Sequence, residues 1–398
     1  MGSPEIPSLL QEIQQEVQVL KQGDEQSRQA LLDSARALVS ALESPAERVA
    51  RISFHEPTLS TAIRICIDMK LFESLVADNG TPKTTEQLAK LTGSDPKLLE
   101  RFLKHLATGG IVRETGTDQF APNEISKVFA TPTGQGVFTN CFDGITTISS
   151  RFPEFMKNTQ YTNPKNKDKS AFKFSHNTDK HYFEWCFSPG NEYQAEAFHN
   201  HMKFKTLSKK WFECVPVDDL FADFKSSDPD GVLMVDVGGD TGYDALNFHK
   251  AYPNLPGRLV VQDLPASIAK LDKEAIKPVE AMPHDFFTPQ PVKNAKAFYL
   301  KMVLHDWPDA SCREILSNLR PALVPGYTKI LINEIVVPDM DADWFSTSVD
   351  MLMMLFHSAE ERREKDWRTL IESVEGLKVV KIWECGGAPE KLIEVELA

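Results

Sequence analysis

One stretch narrows the possible folds more than any other: Val232-Leu-Met-Val-Asp-Val-Gly-Gly-Asp-Thr-Gly242, followed by Leu259-Val-Val-Gln-Asp263. The apolar run Val232 to Val235 is a buried strand. Gly238, Gly239 and Gly242 let the chain turn sharply and bring bare backbone against a ligand. Asp263 stands at the end of a second strand, about 20 residues beyond the glycines, where its carboxylate can accept both hydroxyl hydrogens of a ribose. Strand, glycine turn, helix, strand and acid in that order build a site for a ribose-bearing cofactor.

A dinucleotide fingerprint spells Gly-x-Gly-x-x-Gly, whereas this turn places Asp240 where bare backbone would meet a pyrophosphate. S-adenosylmethionine has no phosphate and carries a sulfonium and an ammonium. The acids Asp236, Asp240 and Asp244 therefore suit it better than NAD.

From Gly231 onward, strands alternate with helical stretches: Val232 to Val237, Leu259 to Gln262, Ala297 to Lys301 and Lys329 to Val337. That alternation predicts an α/β fold with a Rossmann-like, doubly wound parallel sheet. Late strands near Leu377 to Trp383 and Lys391 to Leu397 can add a terminal hairpin. Ligands in such sheets bind beyond the carboxyl ends of the strands. Those ends carry Asp263, the run Lys301 to Asp306, and Glu334. Asp285, next to Phe286 and Phe287, is placed to accept from an adenine amino group and to offer a ring for stacking, or the two rings are core. His305 falls just past a buried strand and before a proline-marked helix start. Its charge changes near neutral pH, and a carboxylate partner, Glu334 or Glu361, would hold one tautomer and raise its basicity.

The N-terminal part reads differently. Residues 8 to 48 show two amphipathic helices broken near Gln22-Gly23-Asp24, with stripes that pack on their own domain or on a partner subunit. Between Thr84 and Asn123 a capped helix, a Gly93 turn, a second helix and a small β-hairpin read as a winged helix-turn-helix. Five basic residues there meet five acidic ones, so the span lacks the basic footprint of a DNA binder and reads as a scaffold or dimerisation module. Asn158 to Lys180 is polar and reads as an exposed loop. Residues 181–215 form a helical bridge, giving four segments: an arm 1–48, a winged-helix-like domain 49–180, the bridge, and a cofactor-binding domain 216–398.

With 44 basic and 57 acidic residues, a net charge of −13 repels phosphate backbones and anionic membranes. Six scattered cysteines without a Cys-x-x-Cys pair suggest reduced thiols and no zinc site, and no apolar run reaches membrane-spanning length. The start shows no secretory signal, and the cytoplasm is the expected location.

The glycine turn, Gln262-Asp-Leu-Pro265, Met282-Pro-His-Asp-Phe-Phe287, Leu304-His-Asp-Trp-Pro-Asp309 and Ile332-Asn-Glu-Ile335 occur in that order. Together they resemble the S-adenosylmethionine-dependent O-methyltransferases of the plant caffeic-acid type and their fungal secondary-metabolite relatives, over about residues 50 to 398. The resemblance implies a class I methyltransferase fold with a winged-helix N-terminal domain that dimerises and does not bind DNA. It also implies Gly238, Gly239, Asp263, Asp285, Phe286 and Lys301 as cofactor contacts, and His305 as catalytic base flanked by Glu334 and Glu361, with no metal. The implied reaction moves a methyl group onto a hydroxyl of an aromatic or polyketide-like molecule. Trp185, Met202, Met302 and Met351 mark an apolar, adaptable substrate cavity. Asp240 departs from the family pattern, adding bulk and charge where a glycine is usual. Some fungal relatives keep the fold but act as pericyclases or dehydratases. Loss of the histidine would point that way, and here His305 is present with both acids.

Overall fold

The computed structural model describes residues 6–20, 24–203, 210–224, 231–386 and 388–398. The chain divides into two compact units, Met1–Phe142 with Glu196–Phe204, and Asp143–Ala195 with Lys205–Ala398; the division falls within the long helix Pro132–Asn158.

In the first unit, helices Ile6–Val19 and Glu25–Leu42 are tied by Ser34 Oγ donating to Glu16 Oε1 at 3.0 Å. Of the expected break between them, Gln22 and Gly23 lie outside the described residues. Asp24 caps the second helix by accepting from Ser27 N. The winged element then follows. Strand β1 (Lys83–Thr84) leads into helix Thr85–Thr92, which opens with a capping box between Thr84 and Gln87 and ends at left-handed Gly93. Helix Pro96–Thr108 is capped by Asp95, and β2 (Arg113–Gly116) and β3 (Gln119–Ala121) close a three-stranded sheet of order β1-β3-β2. Leu88, Leu99, Leu103, Leu106 and Phe120 are fully buried beneath it.

The second unit is built on one sheet. Its strands are β4 (Val232–Val237), β5 (Arg258–Asp263), β6 (Glu280–Pro283), β7 (Ala297–Lys301), β8 (Lys329–Val337), β9 (Arg362–Arg363), β10 (Leu377–Trp383) and β11 (Glu390–Leu397), and the order is β10-β11-β8-β7-β4-β5-β6, with β9 paired to β8. Strands β4 to β8 run parallel, and β11 and β10 add antiparallel pairs at one edge. The order reverses at β4, so the crevice opens at the end of β4 beside β5 and β7. Side chains alternate between two cores. Val235, Val237, Val260, Phe298, Leu300, Ile330 and Ile332 face one way, and Leu233, Leu259, Val261, Tyr299 and Leu331 the other. Each such burial contributes roughly 1.5–3 kcal/mol, so register is strongly held.

Three local expectations change. The polar stretch 158–180 contains the helix Ala171–His176, capped by Ser170 and anchored by fully buried Phe172. Strand β6, too short and polar to announce itself, pairs with β5 from Val260↔Glu280 to Asp263↔Pro283 and so delivers the Asp285 segment to the crevice. Cys214 and Cys385, separated by 171 residues, form a disulfide, while Cys66, Cys141, Cys186 and Cys312 are free. No described helix is long and apolar enough to cross a membrane.

Candidate active site

The glycine turn leaves β4 with Gly238 at φ +75° and Gly242 at φ +68°. A Cβ on Gly238 would lie 2.9 Å from Val303 and 3.8 Å from the Phe286 ring. One on Gly239 would meet the Asp236 carboxyl at 2.6 Å, so neither position has room for a side chain. Asp240 adopts φ +44°, the left-handed region, and its N–H donates to Asp263 Oδ2 at 3.0 Å. Leu264 N–H donates to Asp263 Oδ1 at 2.7 Å, which fixes that carboxylate at the end of β5. Thus the strained acid and the ribose-binding candidate are parts of one turn.

Lys301, at the end of β7, lies 3.2 Å from Asp244 Oδ1 on the helix after the turn. Asp285 Oδ1 accepts from Phe287 N–H at 2.9 Å, and the rings of Phe286 and Phe287 meet Trp307 edge-on with centroids 6.0 and 4.8 Å away. All six sequence-derived cofactor candidates therefore lie at the strand ends and turns around the switch point. Buried Asp236 Oδ2, beneath Gly239, has no hydrogen-bond partner among the described residues. Burial and the neighbouring Asp244 push Asp236 up to about 8, against the pull of Lys301. Bare backbone, an orphaned carboxyl oxygen and the acids Asp240, Asp244 and Asp263 fit a cationic, ribose-bearing, phosphate-free ligand.

His305 follows β7 in the short turn Leu304–Asp306 and is 6% exposed. Its Nδ1 lies 2.6 Å from Glu361 Oε1, and its Nε2 lies 3.6 Å from Asp306 Oδ1. Glu334, wholly buried in β8, accepts from Val303 N–H at 2.9 Å and Leu304 N–H at 2.7 Å through Oε1. Glu361 thus faces the imidazole directly, while Glu334 holds the backbone that carries it. Burial opposes the imidazolium, but the carboxylates of Asp306, Glu361 and Glu334 outweigh it and raise His305 to about 10. Burial raises Asp306 to about 6 and Glu334 to about 7, both restrained by the imidazolium.

His305, Glu334 and Glu361 offer ligand atoms within 4.8 Å of one another, a donor set that could hold a metal ion. The 2.6 Å separation of His305 Nδ1 and Glu361 Oε1 is a hydrogen bond. Two ligands each bound at about 2.0–2.1 Å to one zinc ion would stand farther apart, so the pair is built around a shared proton.

Three supporting residues carry no signal in the sequence. Arg362 is 1% exposed; its guanidinium donates to Trp307 O at 2.9 Å and Asp309 Oδ1 at 2.9 Å, and reaches Leu304 O at 3.3 Å, stapling the His305 turn. Asp350 Oδ1 accepts from Glu361 N–H at 2.9 Å. His357 approaches Asp306 from helix Trp344–His357. Of the expected cavity residues, Trp185 packs edge-on against Phe172, whereas Met202 and Met351 are exposed at 37% and 46%. Met302 sits at φ +49° beside Lys301.

Comparison with known proteins bears on this arrangement. A family model for an O-methyltransferase domain matches residues 173–376, and one for an O-methyltransferase dimerisation domain matches residues 54–132. The chain is 38% identical over 376 residues to methyltransferase cfoC of Aspergillus candidus, covering 93% of this chain and 91% of the relative. It is 34% identical to demethylsterigmatocystin 6-O-methyltransferase of Aspergillus flavus, covering 80% of each. A solved structure of a pericyclic reaction enzyme superposes with a TM-score of 0.89 at 27% identity, over 99% of both chains.

Proposed function

This chain belongs to the O-methyltransferases that use S-adenosylmethionine, and from that premise we propose that it methylates a hydroxyl of an aromatic or polyketide-like molecule, with His305 as general base. The observation that carries this reading is the buried His305–Glu361 pair beside the glycine turn. The cofactor supplies an electrophilic methyl group; the chain's own residues supply binding, orientation and proton removal.

Gly238, Gly239 and Asp263 would hold the cofactor's amino-acid and ribose portions, with Asp285 and Phe286 at the adenine and Lys301 beside them, paired with Asp244. A phenol titrates near 10 and is a poor nucleophile at neutral pH. The imidazole of His305, raised to about 10, matches that acidity, so the proton passes from phenol to Nε2 with little change in free energy. Glu361 accepts the Nδ1 hydrogen and leaves Nε2 to face the acceptor. Glu334 fixes the turn through two backbone donors. Support for a polyketide-type acceptor comes from the relative that methylates demethylsterigmatocystin.

The pericyclase reading draws on the structural neighbour of that chemistry. Here an intact His–Glu pair, which methyl transfer needs for proton removal, favours methylation. A homodimer is part of the proposal. Residues 54–132 match the dimerisation domain, and Val17, Val39, Leu42 and Phe54 present exposed apolar surface that a second copy would cover. The cytoplasm belongs to the same proposal: Cys66, Cys186 and Cys312 are free, buried thiols, with the Cys214–Cys385 bridge as the exception.

The test incubates the protein with methyl-labelled S-adenosylmethionine and a panel of phenolic polyketides including demethylsterigmatocystin. Label should move to an acceptor oxygen, and His305→Ala should lower the rate about 10²–10⁴-fold with cofactor affinity retained. Acceptor conversion without label transfer would establish the pericyclic alternative instead.

A further inference from the structure

Beyond His305 the imidazole chain continues. Asp306 Oδ1 lies 3.6 Å from His305 Nε2 and 3.5 Å from His357 Nε2, bridging the two rings. The other nitrogen of that second ring, His357 Nδ1, lies 3.4 Å from His181 Nε2. His357 is 4% exposed, whereas His181, at the start of helix Tyr182–Cys186, is half-buried and meets solvent. Aromatic neighbours hold the rings in line. His181 stacks on Trp307 with centroids 4.7 Å apart and 12° between planes, and His357 stacks on Phe183 at 5.1 Å.

We propose that Asp306, His357 and His181 form a relay that carries the acceptor's proton from His305 Nε2 to solvent, an inference that rests on His305 being the base. Methyl transfer leaves a proton on an almost fully buried nitrogen, and the next turnover requires its departure. The proton balance closes at every link. His305 Nε2–H passes its proton to Asp306 Oδ1, and that oxygen passes it to His357 Nε2. His357 gives up its Nδ1 hydrogen to His181 Nε2, and His181 releases its Nδ1 hydrogen to water. Both outer rings then carry their hydrogens on the opposite nitrogens, and each returns to its starting arrangement by turning about its side-chain bonds, so that no proton runs back along the chain.

The links of 3.4–3.6 Å are longer than formed hydrogen bonds of about 2.7–3.2 Å, so each tightens as the proton arrives. Both outer rings rest neutral, and their low basicity makes them transient carriers that hand the proton on and do not retain it. Burial, then His181 and His305, hold His357 well below the usual histidine range. Burial, then Lys173 and Lys167, bring His181 to about 4. Those two lysines also repel a proton at the exit.

The experiment uses the whole chain labelled with ¹⁵N-histidine, without acceptor, and measures exchange of the His305 imidazolium proton with water by NMR. The side-chain ¹⁵N shifts should show His357 neutral with its hydrogen on Nδ1. Exchange should slow about tenfold or more in His357→Phe and in His181→Ala. The second site is only partly buried, so that variant keeps the test open if the first does not fold. His181→Ala leaves a ring-sized gap, and added free imidazole should restore its exchange. Unchanged exchange in both variants, slowing that imidazole does not relieve, or a His357 hydrogen on Nε2 would overturn the relay. Failure of the base reading looks different: His305→Ala would go on methylating, whatever the relay variants do.

Discussion

Glu361 Oε1 stands 2.6 Å from His305 Nδ1, although 56 residues separate the two in the chain. This contact sets the tautomer and, after the carboxylate of Asp306, helps to raise the basicity of the imidazole. Because His305 is raised to about 10, its base form is the minor one at neutral pH and grows about tenfold per pH unit up to that value. The rate of methylation should therefore climb through the alkaline range. Glu361→Gln removes a carboxylate that favours the imidazolium, so the midpoint should move to lower pH while the plateau falls about 10²–10⁴-fold. A pH–rate profile with an unmoved midpoint would show that Glu361 does not set the histidine's charge.

Asp236 yields a stability prediction with a definite sign. Its folded-state value, about 8, lies above the ordinary carboxyl value of 3.8, so the protonated form is favoured by folding. That contribution is fully present below about pH 4 and is lost as pH rises through about 8. Asp236→Asn keeps a neutral side chain at all pH values. Its melting temperature relative to the wild type should rise steadily between pH 5 and pH 8 and level off above, as read by thermal unfolding at matched ionic strength; a constant offset would contradict the burial argument.

Asp240 occupies left-handed backbone, a conformation costing a non-glycine residue roughly 1–2 kcal/mol. Asp240→Gly should recover about 1 kcal/mol of stability while keeping the backbone donor to Asp263. Calorimetric titration with S-adenosylmethionine then reads the side chain's own effect on affinity. Lower stability of the glycine variant would mean that the carboxylate does more for the fold than its backbone costs.

Arg362 never touches the imidazole yet holds the turn that carries it, through Trp307 O and Asp309. Arg362→Met removes the guanidinium donor from three carbonyls, those of Leu304, Trp307 and Glu360, costing about 1–3 kcal/mol, with Asp309 partly compensated by water. The expected signature is a kcat loss larger than any change in KM. A variant that only melts earlier, with kcat intact, would make Arg362 purely structural.

A metal-free base predicts indifference to chelators. Prolonged treatment with EDTA followed by gel filtration should leave the methylation rate unchanged, and added zinc should not raise it. Loss of activity restored by one divalent ion would recast His305, Glu334 and Glu361 as ligands.

Local sequence decided the strands β4, β5, β7, β8, β10 and β11, the glycine turn and the placement of His305. Apolar period, glycine spacing and a histidine just past a buried run are short-range features, and each acts through its own few residues. The same holds for the winged element, whose caps at Thr84 and Asp95 lie within three residues of the backbone they satisfy. Tertiary structure alone decided which acid meets the base. Both Glu334 and Glu361 were open as partners, and only the pairing of β9 with β8 brings Glu361 onto Nδ1 while Glu334 turns to the backbone. His181 and His357, 176 residues apart, and the Cys214–Cys385 bridge likewise left no pattern along the chain. Their meeting depends on how whole layers pack, a sum of many weak burial energies that no single stretch of sequence contains.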